Sequence, residues 1–122
     1  MINSKLEIKL GDESVLLWFN NFSVFELNKL YGTTQEDILK KVNERFEENY
    51  MLLLSDLIKV GIKGNCLARG KTTPKIYKNI NEHLATADTS ELVKVWDVFY
   101  NMMGGDIKDD KKKEPVTKTA NQ

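Results

Sequence analysis

The chain is poor in several residues on which function often depends. It has one cysteine, Cys66, among 122 residues. No intrachain disulfide can form, and no cluster of thiolate metal ligands can be assembled from it. One histidine, His83, is present. A Ser-His-Asp or Cys-His arrangement would need this residue with a nearby nucleophile, and a zinc site would need further His or Cys ligands that the sequence does not have. There are two prolines, and no apolar run approaches the ~18 residues of a membrane span. The start Met1-Ile2-Asn3-Ser4-Lys5 leads into alternating charge without the apolar stretch of a secretory leader. A cytoplasmic protein is the expectation. Net charge is also missing: 18 Lys plus Arg balance 18 Asp plus Glu. The total field therefore gives no general attraction to nucleic acid.

What is present suffices for one compact domain, with 41% hydrophobic and 30% charged residues. All eleven aromatic residues lie between Trp18 and Tyr100, and none lies in 106–122. Gly104-Gly105 marks the border. This divides the chain into a folded unit over 1–105 and a flexible polar tail over 106–122.

Periodicity predicts an α+β, mainly α domain: an N-terminal β-hairpin followed by about five short helices. Leu6, Ile8 and Leu10 alternate with Lys5, Glu7 and Lys9; Gly11-Asp12 offers a turn, and Val15 to Phe19 is a β-rich run, so residues 2–20 read as the hairpin. The helical part spans 23–103. Ser23-Val24-Phe25-Glu26 has capping-box spacing and predicts a helix from about Val24 to Tyr31, stopped by Gly32. Thr33-Thr34-Gln35-Glu36 repeats the box ahead of Ile38, Leu39, Val42 and Phe46. After Asn49, the stripe Tyr50, Leu53, Leu54, Leu57, Ile58 predicts a core-facing helix that Gly61 and Gly64 end. Thr73 caps a helix with Pro74 in first position and Ile76, Ile80 and Leu84 on one face. Asp88 starts a last helix with Leu92, Val95, Trp96, Phe99 and Met103 as its stripe, widened by Val98 and Tyr100.

Few residues suggest chemistry. Gly64-Asn65-Cys66-Leu67-Ala68-Arg69-Gly70-Lys71-Thr72 is superficially like a phosphate-binding loop, but five residues separate its glycines where the Walker pattern has four, and no strand precedes it. It reads as a connecting loop. No catalytic residue, metal ligand or cofactor site is assigned, and a non-enzymatic protein is the expectation. Two features suit partner binding. Residues 59–78 carry Lys59, Lys63, Arg69, Lys71, Lys75 and Lys78 with no acid, a local +6 set between acidic stretches. A plain solvated loop, a protein-partner surface around Lys63, Arg69, Lys71, Lys75 and Lys78, and a nucleic-acid contact all remain open for it. The second feature is the cluster Trp96, Phe99 and Tyr100, with Met102 and Met103 beside it. At helical spacing it is either core or a surface for a helix of another protein.

The order of elements resembles that of the small tail assembly chaperones of long-tailed bacteriophages. The strand Lys5 to Leu10, the turn Gly11-Asp12, the strand Val15 to Phe19, the short helix with Phe25-Glu26-Leu27 closed by Gly32, the Leu-rich helix around Leu52 to Ile58, the helix after Thr72-Thr73-Pro74, and the last helix ending Met103-Gly104-Gly105 carry the resemblance. It implies a non-catalytic protein of the infected cell's cytoplasm, absent from the mature virion. Such a protein binds the tape measure protein and keeps it soluble while tail tube protein polymerises around it. In that family a longer product is often made by a frameshift near the end of the short gene; Lys111-Lys112-Lys113 lies in the place of a slippery site, and an ordinary solubilising charge run stays open as its reading. Competing expectations are a structural adaptor of the tail or head-tail joint and a small helical regulator using residues 59–78 on DNA. No membrane partner is expected; self-association remains open.

Overall fold

A computed structural model describes residues 4–104. The tail over 106–122, with its lysine run, lies outside the described residues. The elements are β1 (Lys5–Leu10), β2 (Glu13–Trp18), α1 (Asn21–Tyr31), α2 (Ile38–Glu48), α3 (Tyr50–Arg69), a 3-10 turn (Lys75–Asn79), α4 (Ile80–Leu84) and α5 (Thr89–Met102). The α+β, mainly α architecture is the one the periodicity predicts.

The hairpin is antiparallel, with Ile8 opposite Val15 and Leu6 opposite Leu17. Alternation puts Ile8, Leu10, Val15 and Leu17 on one face, all buried, and leaves Lys5, Glu7, Lys9 and Leu16 on the other. A two-stranded sheet is marginal by itself. Here its apolar face lies on α3, while α5 packs along β1. Phe19 and Phe99 meet edge to face with ring centroids 5.5 Å apart. The Glu91 carboxylate of α5 accepts the Lys9 amide of β1 at 2.8 Å.

Helix α3 is the axis of the domain. It continues through Gly61 and Gly64, which the sequence reading takes as stops, and ends only at Gly70, where φ is +67°. There the Lys71 amide donates to the Cys66 carbonyl at 2.8 Å and the Gly70 amide reaches Leu67, the closure expected of a left-handed glycine terminus. The two interior glycines allow close approach. A Cβ on Gly61 would lie 3.0 Å from Leu17 Cβ, and one on Gly64 would overlap Ser23 Oγ and the Trp18 carbonyl. Residues 64–69, read as loop, are therefore helix.

Helix starts also differ from expectation. α1 begins three residues early: the Asn20 side chain accepts from the Ser23 amide and Ser23 Oγ accepts from the Asn20 amide, both at 3.2 Å. Ser23 is thus the third helical residue of an Asn20 box rather than the cap of its own. Glu26 turns instead to Lys29 and Lys63. The box expected at Thr33 to Glu36 does not form; α2 starts at Ile38 after Asp37 without a side-chain cap, while Thr34 Oγ1 donates to Asp37 Oδ2. Asn49 does cap α3, accepting from the Leu52 amide at 3.1 Å. Past Pro74 the chain makes a 3-10 turn before α4, and Ile76, Ile80 and Leu84 share the buried side as their spacing predicts. The buried Ser55 hydroxyl donates to Asn81 Oδ1, joining α3 to α4.

Candidate partner-binding surfaces

The eight residues singled out from sequence do not converge. Lys63 projects from α3 with Nζ 3.6 Å from Glu26 Oε1 and 6.0 Å from the Tyr77 ring centre. It ties α1, α3 and the 3-10 turn together. Arg69 Nε donates to Asn65 Oδ1 at 2.7 Å, and its guanidinium lies 5.7 Å from the Trp18 ring. Both cations are engaged within the domain. Lys71 and Lys75 border a groove of 470 Å³ beside β2, which His83 also lines. Lys75 and Lys78 flank a separate hollow with Thr73 and Pro74. The run that is continuous in sequence is divided because half of it winds along α3 and half follows the connection after Gly70.

The aromatic cluster divides as well. Phe99 is 1% exposed and belongs to the core, so it offers nothing to a partner. Trp96 and Tyr100 are half-buried and stacked, centroids 5.2 Å apart, and Phe46 of α2 lies 4.7 Å from Trp96. Phe46 in turn meets Tyr50 at 4.7 Å. These four rings close the seam between α2, the start of α3 and α5. Burial, and then the Asp97 charge, raise the Tyr50 phenol above its ordinary ionisation range.

The most conspicuous apolar surface lies elsewhere, on α1. Ser23, Val24 and Leu27 turn inward, while Phe22, Phe25 and Leu30 point to solvent, Phe25 62% and Leu30 55% exposed. Leu52 and Met51, on the first turn of α3, add to the exposed set. Leu30 and Leu52 border one shallow hollow with Tyr31 and Asp56. Tyr31 Oη donates to Asp56 Oδ2 at 2.8 Å. Burial, reinforced by that bond and by the carboxylate charge, pushes the Tyr31 phenol well above its usual range. None of these residues is among the eight that the sequence singles out. The signal of the surface is present: Phe22 and Phe25 lie about 100–160° around the helix from Val24 and Leu27, so α1 is apolar on two sides and buries one.

Among the described residues no group of three or more His, Cys, Asp or Glu is placed to hold a metal ion, and no helix is long and apolar enough to cross a membrane. No protein-family model, no curated protein and no solved structure matches the chain.

Proposed function

We propose that this chain is a non-catalytic binding protein, a phage tail assembly chaperone that takes up the tape measure protein in the host cytoplasm and releases it as tail tube protein assembles. The family resemblance of the element order suggests the client. The observation that carries the reading is the outer face of α1, where Phe22, Phe25 and Leu30 are exposed on a fully formed helix whose other face is already satisfied by the core. At 100° per residue they occupy an arc of about 140°. A long helical client with its own apolar stripe can lie against such an arc, each covering surface that would otherwise drive self-association. Glu26 and Lys29 fall within that arc and are ion-paired to each other, so the face is apolar at Phe22, Phe25 and Leu30 and crossed by one neutralised pair.

Co-expression with the candidate tape measure protein tests this. Soluble tape measure protein that co-purifies with the chain is expected, together with loss of both effects in F22S/F25S/L30S at unchanged helical circular dichroism. A tape measure protein that stays insoluble, or a triple variant that works as well as the parent, refutes the reading. Finding the chain in purified particles would instead mark a structural component.

A further inference from the structure

The hairpin has two outer edges, and the fold treats them differently. Phe19 N donates to Ser4 O at 2.9 Å, so Ser4 and Phe19 form a hydrogen-bonded pair. By alternation Leu6/Leu17, Ile8/Val15 and Leu10/Glu13 exchange the ladder bonds, and the intervening pairs Lys5/Trp18, Glu7/Leu16 and Lys9/Ser14 turn their N–H and C=O groups outward. Two contacts agree with this parity. The Lys9 amide leaves the hairpin to reach Glu91, and the Trp18 carbonyl accepts Ser23 Oγ at 2.7 Å. On β2 that leaves the N–H and C=O of both Ser14 and Leu16 without hydrogen-bond partners among the described residues. They are two positions apart, about 7 Å, the repeat at which an added antiparallel strand makes its bonds.

These same residues line the 470 Å³ groove. Its apolar lining includes Ile62, Cys66 and Ile76, and Lys71 and Lys75 stand across from the strand edge. Neither ammonium has an ion-pair partner among the described residues. The Leu16 side chain is 54% exposed beside them. An open strand edge is ordinarily a hazard that proteins cover or charge. Here the edge is left open beside Lys71 and Lys75, with Glu13 at the start of β2 the one acid in the lining.

We propose that the edge of β2 and the lysine wall form a docking groove for an extended, acidic segment of another protein, which joins the hairpin as a third strand. Main-chain bonds to Ser14 and Leu16 supply registry, a small apolar side chain meets the Ile62–Ile76 lining, and carboxylates face Lys71 and Lys75. Self-pairing through the same edge is disfavoured because a second copy would bring its own Lys71 and Lys75 toward the first pair. The groove is separate from the outer face of α1, so the proposal stands whether or not the tape measure protein is the client of that face.

The test uses the full chain, isotopically labelled, and a fluorescent peptide of about eight residues alternating valine and aspartate, long enough for one strand. Saturable binding is expected, with slowed amide exchange at Ser14 and Leu16. Methylating the peptide's edge-facing amides should weaken binding about tenfold or more per lost bond. K71E/K75E should reverse the preference in favour of a valine–lysine peptide. Leu16→Pro removes an outward amide that takes no part in the ladder and should abolish binding; if that variant does not fold, the methylated peptide decides alone. No binding at about millimolar peptide, equal affinity for the methylated peptide, or unchanged exchange at Ser14 and Leu16 would each overturn the proposal. Concentration-dependent dimerisation that protects the same amides without peptide would overturn it in favour of a second copy.

Discussion

Gly64→Ala sets helix propensity against packing. On propensity alone, replacing a glycine inside α3 by alanine stabilises the helix by about 1 kcal/mol. The surroundings of Gly64 oppose that gain. An added Cβ would overlap Ser23 Oγ and the Trp18 carbonyl, and Asn20 Oδ1 would be 2.9 Å away. One obstacle is backbone, and the others belong to a hydrogen-bonded cap that holds the turn between β2 and α1. Overpacking of this kind costs about 1–3 kcal/mol. Displacing the Asn20–Ser23 box costs about 1 kcal/mol more. The bond from Asn20 Nδ2 to the Gly64 carbonyl, 3.1 Å long, is lost in the same movement, at about 1 kcal/mol. Net of the propensity gain, Gly64→Ala should destabilise the domain by about 3 kcal/mol, lowering its melting temperature by about 15 °C. Gly61→Ala is the milder comparison: its Cβ would meet Leu17 Cβ, fixed to the strand backbone, at 3.0 Å and the Phe19 ring at 3.1–3.2 Å, without overlap. Overpacking less the propensity gain leaves it destabilised by about 1 kcal/mol, well short of Gly64→Ala. Urea unfolding followed by helical circular dichroism reads both variants. A Gly64→Ala midpoint at or above that of the parent would refute the close-approach argument, and Ser23→Ala in the Gly64→Ala background should recover part of the loss if Oγ is among the obstacles.

Glu91 is held below its ordinary carboxyl range first by the hydrogen bond from Lys94 and then by the Lys9 amide. A depressed folded-state value contributes stability above the unfolded carboxyl range and loses it as pH falls through the folded value, so melting temperature should drop in acid more for the parent than for Glu91→Gln. Parallel acid profiles would show that the contact carries no linkage. Tyr31, raised in the folded state, works in the opposite sense: its contribution is complete below about pH 10 and is lost as pH rises through the higher folded value. Absorbance titration should show a late-ionising phenol that Tyr31→Phe removes, and that variant should lose about 1 kcal/mol at neutral pH. An unchanged titration curve would contradict the bond to Asp56.

Period-two alternation placed the inward residues of β1 correctly because a strand has only two faces and Leu6, Ile8 and Leu10 share one; the run Val15 to Phe19 showed a strand but not which side Leu16 would take. The stripe of α3 was legible for the same reason. Its end was not, since a glycine that stops a helix and one that admits a neighbour are the same letter; only Leu17, Phe19 and Ser23 across the contact distinguish them. The start of α1 was missed because Asn20 and Ser23 can both cap, and the choice follows from Ser23 Oγ reaching back to Trp18. Adjacency in sequence misled the reading of the basic run, whose members point into different surroundings once α3 continues to Arg69. The open edge of β2 could not be read at all, because it depends on ladder parity and on where Ser23 closes the Trp18 carbonyl next along the strand.

The carboxylate of Glu91 fastens a strand 82 positions earlier in the chain, and Phe99 reaches nearly as far back to Phe19. During synthesis the hairpin emerges before α5 and is marginal by itself. At ~5–20 residues per second, several seconds separate the appearance of β1 from that of α5. Folding to completion therefore has to wait for the last helix, and during that interval both strand edges and the apolar face of the hairpin are available to any neighbouring chain being made beside it.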